Sequence, residues 1–217
     1  MRKIAIIFLL LPTFLFAQND STFIDNKYLE DQIFLNLTYV RLVNTPEKIS
    51  QNGFSYGFGL GVIKDLPINK RRNVGFGIGL SYGFNTYYFS VDENENLPPE
   101  INDQLKNNKI TMNSIEVPVE FRIRTSTNEK YKFWRVYTGV KFSYAFATNS
   151  SLKNRVPLEN EVLEINKFQY GVTLSAGYNK WNLHVYYGLN DLFNETVTNS
   201  YKINIHDLRL GLIFYIL

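Results

Sequence analysis

The chain has 217 residues, of which 45% are hydrophobic, 16% aromatic and 20% charged. This suits one ordered domain, or two small ones, and argues against a disordered chain. With no cysteine and only two histidines, His184 and His206, disulfide scaffolds, thiolate metal sites, cysteine nucleophiles and lipobox anchoring are excluded, and too few ligands remain for a multi-histidine metal centre. The formal net charge of +3 is too small and too dispersed for a nucleic-acid partner.

The first segment reads as an export signal. Met1-Arg2-Lys3 is basic, Ile4 to Phe16 is apolar apart from Pro12 and Thr13, and Ala17-Gln18 opens a polar stretch. This is the three-part plan of a secretory signal peptide over residues 1–17, although Leu15 stands where a small residue is usual. The apolar run is shorter than the ~20 residues of a membrane-spanning helix. Its removal takes away Arg2 and Lys3 and no acid, leaving 21 basic against 20 acidic residues. Residues 18–30 form a short polar lead-in, and residues 31–217 form the domain.

Within that domain, apolar and small or polar residues alternate with period two, the pattern of a strand with two unlike faces. A weaker run at Ile33–Val40 comes first, followed by Phe54–Ile63, Val74–Asn85, Ile115–Arg124, Trp134–Phe146, Phe168–Tyr178, Trp181–Asn190 and Leu208–Leu217. No later segment is long and apolar enough to cross a bilayer as a helix. Eight strands of roughly ten residues have the right length and the even number of a single-chain transmembrane barrel.

The links strengthen this reading. Those after strands 2, 4 and 6 are short (Pro67–Asn73, Ser126–Lys132 and Asn179-Lys180), whereas those after strands 1, 3, 5 and 7 are long and polar (Asn44–Gly53, Asp92–Met112, Thr148–Lys167 and Asn194–His206). Strict alternation of short turns and long loops marks outer-membrane barrels, with the turns and both chain ends on the periplasmic side. In that topology Trp134, Tyr178, Trp181 and Phe214 gather at the periplasmic rim, and Phe84, Tyr144, Phe146, Phe168 and Tyr170 at the outer rim. Aliphatic residues such as Val136, Val140 and Leu174 lie between them. Two aromatic belts around an apolar band result. The expected fold is all-β: an eight-stranded, antiparallel, up-and-down transmembrane barrel of the outer membrane.

The apolar face then meets lipid and the other face lines the lumen. That places Glu116, Glu120, Arg122, Arg124, Arg135, Lys141, Ser175, His184 and Arg209 inside, a polar network whose charges must be paired. Glycines on strands 2 and 3 leave space for these long side chains. Eight strands enclose just enough room for side chains to fill, so the interior is expected to be plugged, with no diffusion pore. Pro118, inside strand 4, is expected to mark a bulge.

Three features invite chemical readings. Gly57-Gly59-Gly61 and Gly75-Gly77-Gly79 superficially resemble dinucleotide loops, but they recur at every second residue within strands, without the required turn and helix. If Asn179-Lys180 is a two-residue turn, Ser175 lies opposite His184. This could be a nucleophilic dyad, but the pair points into the interior and has no acid beside it in sequence. A structural hydrogen bond is the better reading. Asp92-Glu93-Asn94-Glu95 lacks the spacing of a calcium loop and reads as a solvated loop, as does the boundary residue His206.

The strand Ser114-Ile115-Glu116-Val117-Pro118-Val119-Glu120-Phe121 resembles the aliphatic-Glu-aliphatic-Pro strand of the PorT-like outer-membrane β-barrel family of the Bacteroidetes group. Leu15-Phe16-Ala17-Gln18 is similar to export signals of that group, and Tyr137-Thr138-Gly139 to the family's glycine-containing fifth strand. The terminal Phe214-Tyr215-Ile216-Leu217 departs from a plain aromatic last residue. The resemblance implies a non-enzymatic outer-membrane protein, without a cofactor, whose partners are outer-membrane lipid and, through the family namesake, proteins of the type IX secretion machinery. It carries no catalytic residues over. A barrel enzyme using Ser175 and His184, and a narrow porin-like solute channel, are the competing readings.

Overall fold

A computed structural model describes residues 31–46, 49–91, 108–125, 133–151, 165–194 and 204–216. The expected signal peptide, the lead-in and the Asp92–Glu95 acidic run lie outside these residues.

Eight barrel strands follow the chain: β1 (Gln32–Val43), β2 (Tyr56–Pro67), β3 (Val74–Val91), β4 (Asn108–Arg124), β5 (Trp134–Ser150), β6 (Phe168–Tyr178), β7 (Trp181–Gly188) and β8 (His206–Ile216). Each pairs antiparallel with its neighbours in sequence. β8 returns to β1 in a ladder from Ile33↔Ile216 to Val43↔His206, so the sheet closes. A two-residue strand, Ile49–Ser50, adds to the end of β3. The strand ends joined by the three short links and the described chain ends lie at one end of the barrel, called here the turn end; the strand ends joined by the longer connections lie at the other, the loop end.

Polar residues face in and apolar residues face out, the reverse of a soluble protein. In β1, Gln32, Asn36 and Thr38 are buried while Ile33, Leu37 and Tyr39 are exposed. Arg122 and Arg124 are fully buried, yet Leu183 is 68% and Trp181 66% exposed. A continuous exposed apolar wall is stable only against lipid.

The strands differ from expectation in three places. β3, β4 and β5 run past their apolar alternation, to Val91, from Asn108 and to Ser150. The ladder continues through Thr86↔Thr111, Tyr87↔Ile110 and Thr111↔Asn149. Here the faces exchange character: Tyr87, Phe89, Ile110 and Met112 point in and are buried, whereas Thr111 and Asn113 point out. The hydrophobic pattern that marks lipid stops while the hydrogen bonding goes on. Pro118 is not bulged. The β3–β4 ladder skips from Ile78↔Val119 to Ser81↔Glu116 without changing register, as expected where a proline has no N–H to donate. The bulge lies instead at Phe146, where the β4 pairing passes from Ala147 to Ala145 between Asn113 and Ser114. The link between β6 and β7 is the expected two-residue turn, with Tyr178 opposite Trp181 and Asn179 in the left-handed region at φ 57°.

At Gly139 the β4 backbone comes so close that a Cβ would sit 2.0 Å from the Val119 carbonyl oxygen. Gly139→Ala is therefore expected to force β4 and β5 apart at the cost of about 1–3 kcal/mol. In urea titrations of the barrel folded into lipid vesicles, the unboiled fast-migrating gel band should be lost at lower urea than in the wild type.

Candidate functional site

The interior of the barrel collects the candidate residues. All nine positions expected in the lumen (Glu116, Glu120, Arg122, Arg124, Arg135, Lys141, Ser175, His184 and Arg209) are buried there. Two further acids join them, Asp65 and Asp207. Sequence reading missed both because it ended strand 2 at Ile63 and began strand 8 at Leu208. Extending either alternation by one inward position would have found them.

These charges form two clusters. Toward the turn end, Asp65 receives a two-pronged bond from Arg124, with Nη1 2.9 Å from Oδ1 and Nη2 2.6 Å from Oδ2. Arg122 lies between carboxylates, with Nη1 3.3 Å from Asp65 and Nε 3.1 Å from Glu120, and its Nη2 donates to Gln32. Its guanidinium stacks 4.7 Å from the Tyr137 ring. A Cβ at position 77 would fall 2.6 Å from Arg122 Nε, so Gly77 supplies the space this side chain occupies, as the glycines of strands 2 and 3 were expected to do. Toward the loop end, Glu116 is 3.0 Å from Lys141 and 3.4 Å from Arg209, while Arg209 also holds Asp207 at 2.7 Å. Lys141 and Arg209 both lie 4.5 Å from the Tyr186 ring. Each cluster sets two acids against two bases, so the charges balance where water is scarce.

Arg135 is different. Its guanidinium lies 4.6 Å from the Phe133 ring and 5.3 Å from Tyr215, and it has no carboxylate partner among the described residues. Aromatic faces hold this cation in place of an acid.

Ser175 and His184 meet as the register requires, with Ser175 Oγ 2.8 Å from His184 Nδ1. Both are buried inside the filled lumen, away from the lipid-facing surface. The bond ties β6 to β7. His206, expected to be solvated, is instead partly covered, with its ring stacked on Tyr187 at 5.9 Å.

Sequence reading also missed an apolar cap at the loop end. Val40, Leu42, Ile49, Tyr87, Phe89, Ile110, Met112, Ala145, Ile165, Leu192, Phe193 and Ile205 form one buried cluster. A bridge between Ile165 and Phe193 and a bond from Leu192 N–H to the Ile205 carbonyl hold these described residues together over the barrel mouth. The lumen is thus filled by ion clusters and closed over by hydrocarbon.

Outside, the aromatic belts are present. At the turn end Trp134 meets Tyr178 at 5.3 Å and Trp181 meets Phe214 at 5.2 Å. At the loop end Tyr56 meets Phe84, and Phe142 meets Phe168. Tyr178 and Phe168 are ten positions apart on β6, which at ~3.3 Å per residue and a ~40° tilt spans ~25 Å, the height of a barrel's apolar band.

Removing Asp65 would leave two buried arginines facing each other. Asp65→Ala is expected to destabilise the folded barrel by about 3–5 kcal/mol, and adding Arg124→Met should recover part of that. Urea unfolding in vesicles, followed by tryptophan fluorescence, measures both changes.

No curated protein matches the chain. The family described as outer membrane protein beta-barrel domain matches residues 16–194, most of its length. With a closed barrel, a lipid-facing apolar wall and two aromatic belts already in place, this match shows that the chain belongs to that outer-membrane β-barrel family.

Proposed function

We propose that this barrel is a non-enzymatic, PorT-like outer-membrane protein that serves type IX protein secretion by contacts made at its surface. Export by residues 1–17 leaves both chain ends in the periplasm and the loop end outside the cell. The observation that carries the reading is the filled interior. Buried Arg122, Arg124, Tyr137 and Tyr186 occupy the lumen and the apolar cap lies over its mouth. A solute has no water-lined route through such an interior. The Ser175–His184 pair lies within the same packing on the inner face of the wall, whereas lipid substrate would arrive at the belts on the outer face. With the lumen filled and the Ser175–His184 pair enclosed among the described residues, the surface is what the protein offers to a partner. The secretion role rests in addition on the family resemblance of the Ser114–Phe121 strand, which names the machinery it would touch.

Two measurements test this. Planar-bilayer recordings of the refolded barrel should show no unitary conductance, and steady openings would establish the channel reading instead. A clean deletion in the source organism should reduce proteins released to the medium and displayed at the cell surface, with recovery on restoring the gene. Unchanged secretion removes the type IX role. Altered outer-membrane lipids on deletion, reproduced by His184→Ala, would establish an enzyme.

A further inference from the structure

On the outside of β1, Ile33, Leu37 and Tyr39 face lipid, and Arg41 follows them toward the loop end, exposed. Two other outward-facing cations on the strands have partners: Lys64 lies 2.5 Å from Asp31, and Lys109 lies over the Tyr88 ring. Among the described residues the Arg41 side chain has neither an ion pair nor a hydrogen bond.

Two concavities meet beside it. An open groove of about 520 Å³ runs between β1 and β2, lined by Leu37, Tyr39, Phe54, Tyr56 and Phe58. Phe54 is 68% exposed, with its ring 5.5 Å from Tyr39. Next to the groove, sharing Tyr39, is a recess of about 490 Å³ lined by Arg41, Thr45, Ser50 and Gln51. The recess is built by specific bonds. Gln51 Nε2 donates to the Val40 carbonyl at 2.7 Å, and Leu42 N–H donates to Gln51 Oε1 at 2.8 Å, so a side-chain amide stands where a neighbouring strand would be. Ser50 Oγ lies 2.8 Å from Ser90 Oγ, and Ile49–Ser50 pairs with β3.

An apolar trough at the level of the aromatic belt, with an unpaired guanidinium and fixed polar groups at its loop end, matches an amphiphile with an anionic head. Guanidinium is well suited to phosphate oxygens. We infer that β1, the start of β2 and the neighbouring residues Thr45, Ser50 and Gln51 form a binding site for a phosphorylated outer-leaflet lipid, with an acyl chain in the groove and a phosphate on Arg41. The leaflet rests on the orientation proposed above.

The test uses the purified full-length barrel in a neutral maltoside detergent, titrated with diphosphorylated lipid A and read by native mass spectrometry. Wild type should form a one-to-one adduct. Arg41→Ala should weaken it on the order of tenfold, and Phe54→Ala should weaken it without touching the charge. Both side chains are exposed, and the gel shift on boiling verifies that each variant has folded. Inorganic phosphate should neither bind nor compete. Wild-type affinity in both variants, or competition by inorganic phosphate, overturns the site. Orientation is read separately, with single cysteines in this cysteine-free chain. In intact cells, Thr148→Cys should react with a membrane-impermeant maleimide and Lys180→Cys should not. The reverse pattern overturns the outer-leaflet assignment while leaving the detergent result to decide the site.

Discussion

In hydrocarbon no water is available to satisfy backbone N–H and C=O groups, and the structure depends on this constraint. A sheet in lipid has no tolerable edge, so β8 must return to β1, and it does along the full ladder from Ile33 to Val43. Closure at eight strands then limits the enclosed volume to what side chains can fill. The pleat sends alternate residues to opposite faces, so each strand must satisfy lipid on one side and a narrow interior on the other. Glycine opposite a long side chain follows from the same geometry: Gly77 gives up its volume to Arg122.

An interior of charged groups carries a desolvation cost, which mutual pairing offsets. Asp65 bonded to Arg124, and Glu116 between Lys141 and Arg209, remove the net charge of each cluster locally. Such an interior also bears on delivery. Strands apolar on both faces would be adhesive segments during passage through water. Polar inward positions hold the mean hydropathy of the whole chain at −0.19 while the outward faces keep a continuous apolar band.

Much of this architecture was legible in the sequence because lipid enforces period two. Wherever a strand crosses the apolar band, an error of one residue would expose a charge to hydrocarbon, so the pattern is strict. Strand number, the β6–β7 register and the belts around Trp134, Tyr178 and Trp181 could be read for this reason. Legibility failed where lipid ends. Beyond Asn85 on β3 and before Ile115 on β4, Tyr87, Phe89, Ile110 and Met112 face inward, so the polarity of the faces inverts and the ladder continues without its signature. Asp65 and Asp207 were missed at the opposite ends of their strands for the same reason: alternation alone does not say where a ladder stops. Arg135 was read correctly as buried. Its aromatic partners were not legible, because Phe133 precedes β5 and Tyr215 comes from a strand distant in sequence.

The inversion also bears on where this barrel can act. β3, β4 and β5 have 18, 17 and 17 residues, against 11, 8 and 11 for β6, β7 and β8. The excess of about six residues, at ~3.3 Å each and a ~40° tilt, makes a wall of roughly 15 Å standing beyond the shorter strands. Its inner surface is not left bare, because Ile49, Ile165, Leu192, Phe193 and Ile205 pack against it. That packing is a small hydrophobic core of the soluble kind, apolar inside and polar outside, built directly on a membrane barrel. It includes Ile49, whose pairing with β3, together with the bonds of Gln51 to β1, places Ser50 and Gln51 beside Arg41 above the groove. The packing that covers the mouth thus sets these polar groups beside the groove, and a preformed arrangement of polar groups is what selective recognition at a membrane surface requires.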